Sequence, residues 1–335
     1  MESKNNPQKI RDKSPKLGLK DRKILFQLDF NARASNAEIA RQVGLSKQTV
    51  DYKIKNMIKN GIINGFYPIV NSPKLGYFYG RLFFRLHNLT ANKEKQIFQE
   101  LINNHQVNWL IQAEGGYDLW IGTWHKSLND FKKFSNNIFS KYGLFIKEMR
   151  ESVGIELKHF QYRFLINTKE TKQISTKEEL EKVAIDEIDK NILHSLCENA
   201  RFPLVEIAKK LNMSPKVLAY RIKKLEERKI ILGYRPDINF NLLGYTHYKI
   251  LFYFTNVTTE EFVRFKAFME RDQRVIYTIN GIGIGNFDIE LMLKSQQEYF
   301  EFLHDVKFNF PTLIKEYETL VALETLKVNY LPYDL

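Results

Sequence analysis

The sequence predicts an α+β protein in which three helices and a following βαββαβ module occur twice in one chain. Three observations predict this fold. Residues 46–63 recur in closely similar form at residues 214–231. Apolar residues at helical spacing open each copy, and strands and helices then follow in the same order in both copies.

The repeat extends along most of the chain at one constant offset. Asp189 matches Asp21, and 189 − 21 gives an offset of 168 residues. At this offset residues 31–33 match 199–201, and residues 75–77 match 243–245, without any gap. A duplicated unit explains this pattern better than chance does.

The first 50 residues of each copy are typical of a helix-turn-helix unit. In the first copy Ser35 and Glu38 have the spacing of a capping box, and Ser46 is placed to cap a third helix. Gly44 suits the left-handed turn between the two helices. Residues 62–68 surround Gly65 with apolar positions, which predicts two short strands and therefore a wing.

The third helix of each copy is the candidate DNA-reading element. The apolar spacing of Val50, Ile54 and Met57 directs the opposite face outward, and a helix fits the DNA major groove. Gln and Lys side chains on such a face can bond to bases or phosphates. The alternative is an ordinary amphipathic helix with a solvated face. The candidate DNA-contacting residues are Lys47, Gln48, Tyr52, Lys53, Lys55, Lys59, Lys216, Tyr220, Arg221, Lys223 and Lys224.

Each module with the order βαββαβ has the ferredoxin-like plan, in which two helices cover one face of a four-stranded antiparallel sheet. Neighbouring strand residues such as Phe83 and Phe84 are both apolar, so both faces of the sheet need a cover. We expect the two sheets to pack together as an intramolecular pseudo-dimer. The predicted domains are a basic arm (1–20), a winged helix-turn-helix (21–70), a first module (71–165), a partly helical linker (166–187), a second winged helix-turn-helix (188–238) and a second module (239–335).

Composition narrows the range of partners. The net charge of +12 and the pI near 9.4 favour a polyanionic partner such as double-stranded DNA. The single cysteine, Cys197, excludes an internal disulfide. The absence of an apolar run of about 18 residues argues against a membrane partner and predicts a cytoplasmic protein.

With these elements in this order, the chain resembles the Lrp/AsnC family of transcriptional regulators. The matching residues include Asn199-Ala-Arg201, Glu206-Ile-Ala208 and Ile230-Ile231-X-Gly233-Tyr234. The first copy departs from the family pattern, since Lys53 replaces the usual Arg. The resemblance implies AsnC/RAM-type ligand-binding modules. Family members normally carry one unit, whereas this chain carries two, and assembly into larger homo-oligomers stays open.

The resemblance also implies an amino-acid effector near a Gly-containing loop between the second and third strands of each module. A plain connection whose glycines only allow the turn is the alternative. The second loop is interpreted as two residues longer, so we expect the two sites to differ. The candidate effector-binding residues are Gly115, Gly116, Tyr117, Asp118, Gly283, Gly285, Asn286 and Asp288.

An enzyme is the competing function, because sirohaem decarboxylases share this architecture. The resemblance to that family implies a His-Asn-Tyr-X-Arg run at the end of the second strand of the module. Here residues 111–115 and 278–282 contain neither His nor Arg. The seven histidines have no metal-ligand spacing. We therefore predict no catalytic site, metal or cofactor.

Overall fold

The computed structural model describes residues 15–170, 172–177 and 181–335. Most of the predicted basic arm lies outside these residues, and the first helix begins at Leu19. The first head consists of α1 (Leu19–Leu28), α2 (Asn36–Val43) and α3 (Lys47–Lys59). The second head consists of α6 (Glu187–Glu198), α7 (Leu204–Lys210) and α8 (Pro215–Glu227).

The predicted helix starts are confirmed by the caps. The Ser46 hydroxyl accepts a hydrogen bond from the Thr49 amide at 3.1 Å, and Ser35 caps α2 in the same way. Gly44 ends α2 with a φ of 65°, in the left-handed region. The three apolar residues of α3 chosen from the sequence are buried, and so are their counterparts in α8. The apolar residues of both heads form one continuous core.

The predicted wing hairpin is wrong. Residues Ile63–Val70 form a single strand, β1, and Gly65 lies within it rather than in a turn. This strand pairs antiparallel with β7 (Ile231–Ile238) of the other copy. One edge of each strand is therefore paired with its counterpart, 168 residues away in the sequence.

Each module, here called a body, contains the predicted four strands and two helices. The first body consists of β2 (Phe78–Leu86), α4 (Ala91–Asn103), β3 (Trp109–Gly115), β4 (Leu119–His125), α5 (Leu128–Tyr142) and β5 (Ile146–Phe160). The second consists of β8 (Thr246–Phe254), α9 (Thr259–Arg271), β9 (Val275–Ile282), β10 (Phe287–Leu293), α10 (Gln296–Asn309) and β11 (Ile314–Val328).

The two sheets pack together as predicted, and they are also joined at both edges. β5 of the first body pairs with β9, and β11 of the second body pairs with β3. Eight antiparallel strands therefore close into a ring. Phe83 and Leu251 fill its interior, whereas Phe84 and Phe252 face the helices outside.

The segment predicted as a partly helical linker contains a strand instead. Residues Gln173–Lys177 form β6, which pairs with the end of β5. Residues 181–186 carry no helix, and residues 178–180 lie outside the described part. The connection between the two copies is therefore attached to the first body. None of the helices in the described ranges has the length and apolar composition needed to cross a bilayer.

We expect acid to destabilise the fold through His125. This side chain lies between Phe131 and Phe134, and burial lowers its pKa from 6.5 to about 4. The unfolded chain takes up this proton near pH 6.5, so the free energy of unfolding falls as pH drops from there towards 4. The slope is about 1.4 kcal/mol per pH unit. His125→Phe should reduce the loss in urea stability between pH 7 and pH 5 by about 2 kcal/mol.

His304 offers the matched control, because its side chain is exposed. His304→Gln should keep the pH dependence of the unmodified chain. An unchanged pH dependence in His125→Phe would contradict the assignment.

Candidate nucleic-acid interface

The outward faces of α3 and α8 carry the same aromatic residue at matching positions. Tyr52 is 69% exposed and Tyr220 is 61% exposed. Both rings therefore project from their helices, while the opposite faces of these helices are buried in the shared core of the heads. A large aromatic side chain held in solvent on two equivalent helices is available for contact with a partner.

Most of the predicted cations surround these tyrosines on the exposed faces. Lys55 and Lys223, with side chains 73% exposed, are matching residues at the 168 offset. Their ion pairs with Asp51 and Glu227 lie in solvent, where such pairs stabilise little and can exchange for phosphates. The other exposed candidates are Lys47, Gln48, Lys59, Lys216 and Lys224.

Lys53 and Arg221 do not share this free exposure. Lys53 Nζ lies 2.8 Å from the Asp21 carboxylate on α1. At the matching place, Arg221 lies 2.9 Å from Asp186 and 2.9 Å from Asp189. Both side chains are only 27% exposed. They hold the third helix of each head to the first, so their geometry indicates a structural role rather than a phosphate contact.

The two outward faces differ in detail. Lys59 on α3 matches Glu227 on α8, and Gln48 matches Lys216. In the second head Glu227 lies 3.0 Å from Lys224, and this ion pair lowers the pKa of Glu227. The ends of the two helices therefore present different charges to a common partner.

A reciprocal pair of arginines connects the heads, and sequence analysis did not assign them a role. Arg33 donates to the Ala200 carbonyl, and Arg201 donates to the Ala32 carbonyl. Arg201 also donates to Asn36 at 2.8 Å. Arg33 and Arg201 lie 168 residues apart, which equals the repeat offset, and this spacing was the signal in the sequence that could have identified the pair. Together with the β1–β7 pairing, these bonds hold α3 and α8 in one fixed relation.

The two candidate effector loops lie at equivalent places against the opposite body. Gly115 has a φ of 115° and Gly283 a φ of 111°, which favour glycine. A Cβ atom would lie 2.2 Å from the Thr319 carbonyl at the first position and 2.2 Å from the Glu151 carbonyl at the second. The glycines therefore permit close contact between the bodies.

Counted between equivalent residues, from Gly115 to Leu119 and from Gly283 to Phe287, the two loops have the same length, which corrects the expected difference of two residues. The Asp118 carboxylate accepts from the Leu86 amide at 2.6 Å, and the Asn286 side chain accepts from the Phe254 amide at 2.7 Å. These contacts match at the 168 offset. Asn286, and not Asp288, is therefore the counterpart of Asp118.

Other predicted effector residues are occupied within the protein. Asp288 is 1% exposed and forms ion pairs with Arg81, at 2.6 Å, and with Lys249. Tyr117 is 3% exposed, and the Arg85 guanidinium lies 5.3 Å from its ring centre. Arg85 also donates to the Gly116 carbonyl at 2.6 Å. A Cβ atom at Gly285 would lie 3.5 Å from the Leu251 side chain.

Comparison with known proteins identifies the architecture. Residues 19–64 match the model of a winged helix-turn-helix DNA-binding domain, and residues 185–226 match that of an AsnC-type helix-turn-helix domain. An uncharacterised HTH-type transcriptional regulator of Pyrococcus furiosus is 31% identical over 144 residues, 42% of this chain and 94% of that relative. The chain belongs to the Lrp/AsnC family of transcriptional regulators. This confirms the predicted family, and the two matches agree with a tandem arrangement of two units.

One further relative and one solved structure are similar to this Lrp/AsnC regulator. The HTH-type transcriptional regulator LrpA of Pyrococcus horikoshii is 52% identical over 62 residues, 18% of this chain and 44% of that protein. The crystal structure of the siroheme decarboxylase NirDL superposes with a TM-score of 0.61 and covers 92% of both chains. The sequence identity to NirDL is 16%, so this likeness concerns the fold alone.

Proposed function

We propose that this Lrp/AsnC regulator binds one DNA duplex with both heads, and that α3 and α8 each enter a major groove. The exposed Tyr52 and Tyr220, each on a helix whose other face is packed in the core, carry this proposal. The exposed lysines beside them supply charge for phosphates, and Gln48 can bond an adenine edge at two points. The proposal keeps the predicted cytoplasmic location, where the chain would meet DNA.

We further propose that the two half-sites differ in sequence. Gln48 faces the first half-site and its counterpart Lys216 faces the second, and these side chains prefer different base edges. DNA selected from a random pool should therefore yield a non-palindromic operator. Selection of a perfect palindrome by single chains would contradict this asymmetry.

Tyr52→Ala and Tyr220→Ala test the reading faces. We expect each to weaken binding to the selected operator about tenfold, because each removes one contact surface of roughly 1–3 kcal/mol. Fluorescence anisotropy with operators mutated in one half-site provides the measurement. Tyr52→Ala should lose little further affinity when the first half-site is already mutated, and Tyr220→Ala should behave likewise with the second.

The salt dependence tests the lysines separately. Lys55→Ala should lower the slope of log K against log salt by about one unit, because one phosphate contact is lost. Lys95→Ala, a matched change of an exposed lysine on α4 of the first body, should leave the slope unchanged. Equal slopes for the two variants would argue against a DNA-facing role for Lys55.

An amino-acid effector at the contact between the bodies remains part of the proposal. The two glycine loops lie against the opposite body, so a ligand that separates or tightens this contact would act on both halves. A change in operator affinity on addition of amino acids would support this part of the proposal.

The fold shared with NirDL makes an enzyme the second candidate. At the positions that the resemblance implies for a catalytic run, Ile111 and Ala113 point into the ring interior and pack with Phe83. This apolar packing supports the regulator. Absorbance titration with sirohaem tests the alternative, and tight stoichiometric binding would favour the enzyme.

A further inference from the structure

The two bodies differ in one pair of equivalent clefts. β5 and β11 end at equivalent residues, Phe160 and Val328, which lie 168 residues apart. Residues 329–335 then cover a cleft on the first body, and residues 161–169 run beside the equivalent cleft on the second. These are called the first and the second cleft.

The first cleft is occupied by a carboxylate from the chain itself. Asp334, the residue before the last, lies 2.7 Å from Lys126 Nζ and accepts a hydrogen bond from the Tyr77 hydroxyl. Lys126 Nζ also lies 5.1 Å from the centre of the Tyr77 ring. Burial raises the pKa of Asp334, but the bonds to Lys126 and Tyr77 lower this pKa by more. The pKa of Asp334 therefore lies below its usual value.

The second cleft repeats the lysine and the tyrosine without the carboxylate. Lys294 Nζ lies 4.9 Å from the centre of the Tyr245 ring, as Lys126 does over Tyr77. At the 168 offset Asp334 corresponds to Ile166, an uncharged residue whose side chain packs against the apolar core of the heads. Among the described residues, no carboxylate forms an ion pair with the Lys294 ammonium group.

The open second cleft is of ligand size and positively charged. Its volume is about 550 Å³, within the range of roughly 300–1,000 Å³ typical of small-molecule sites. Its wall includes the basic residues Arg271, Arg274 and Lys294 and the acidic residues Asp272 and Glu298. Arg274 is held in a bidentate pair by Asp272, and Glu298 accepts from the Lys294 amide.

We propose that the second cleft binds a small organic polycarboxylate. One carboxylate of the ligand takes the place between Lys294 and Tyr245 that Asp334 takes in the first cleft. Arg271, exposed on the same wall, receives a second carboxylate. This site lies apart from the glycine loops and is independent of the DNA-binding proposal.

Isothermal titration of the full chain with citrate and succinate tests the proposal, with no DNA present. We expect one ligand per chain, at least about tenfold tighter than acetate, because acetate engages one cation only. Lys294→Met should weaken citrate binding at least about tenfold. Inorganic phosphate that binds as tightly as citrate would overturn the carboxylate assignment, and the absence of citrate and succinate binding would overturn the site itself.

One further variant uses the internal symmetry as a control. Lys126→Met alters the equivalent lysine of the filled cleft and should leave citrate binding unchanged. Thermal melting checks that each variant is folded. Equal loss in Lys126→Met and Lys294→Met would overturn the proposal.

Discussion

Arg235→Met should destabilise the protein by about 3–5 kcal/mol, since it leaves the buried Asp29 carboxylate without its cation. The two side chains are 0% exposed and form a bidentate pair at 2.6 and 3.1 Å. Arg235 also donates to the Phe160 carbonyl at 3.1 Å, and its guanidinium lies 4.1 Å from the centre of the Tyr162 ring. The pair thus connects the first head to the end of β5. Urea unfolding at constant m-value gives the measurement.

The other half of the molecule supplies the matched control. At the 168 offset Cys197 stands for Asp29 and Tyr67 for Arg235, and Tyr67 stacks on Tyr330 with ring centres 3.6 Å apart. Burial raises the pKa of Cys197 to about 12, so this position is uncharged at neutral pH. The double variant Asp29→Cys/Arg235→Tyr should therefore recover at least half of the stability that Arg235→Met loses. A loss below about 1 kcal/mol in the single variant would contradict the argument.

The constant offset made much of the fold predictable. Helix periodicity and caps such as Ser46 depend on neighbours in the sequence, so the heads were predicted with their buried faces. Apolar residues on both faces of one strand, as at Phe83 and Phe84, required a cover on each side of the sheet. The packing of two sheets followed from this requirement, and the structure confirms it.

Contacts between distant segments were not predictable in the same way. The alternation in residues 62–68 suits a hairpin and a lone strand equally, and only the second copy decides that β1 pairs with β7. Helical spacing predicts which side of α3 carries Lys53. It does not predict that Asp21 on α1 lies beside Lys53. The predicted difference in loop length is wrong because similar residue types recur two positions apart, at Asn286 and Asp288. Asp118 therefore resembles Asp288 in type, although it matches Asn286 in position.

The asymmetry of the two clefts shows a further limit of sequence comparison. Ile166 and Asp334 match at the 168 offset, but the segments around them show no recognisable similarity and fold differently, since Arg163–Leu165 form a 3-10 turn. The two repeated halves share one backbone plan, and differences in residue type make their clefts different. The charged pair of Asp29 and Arg235 against the stacked tyrosines is a second example of the same process.

Insertion of five base pairs between the half-sites of the operator should weaken binding as much as loss of one half-site, about 100-fold or more. Half a helical turn moves the second half-site to the opposite side of the duplex. The heads cannot follow this rotation independently, because β1–β7 pairing, the Arg33 and Arg201 bonds and one shared core hold them together. Anisotropy titrations with the original operator, the inserted operator and an operator with one half-site scrambled provide the comparison. Equal affinity for the first two would show that the heads move independently, and the fixed arrangement of the reading helices would then be wrong.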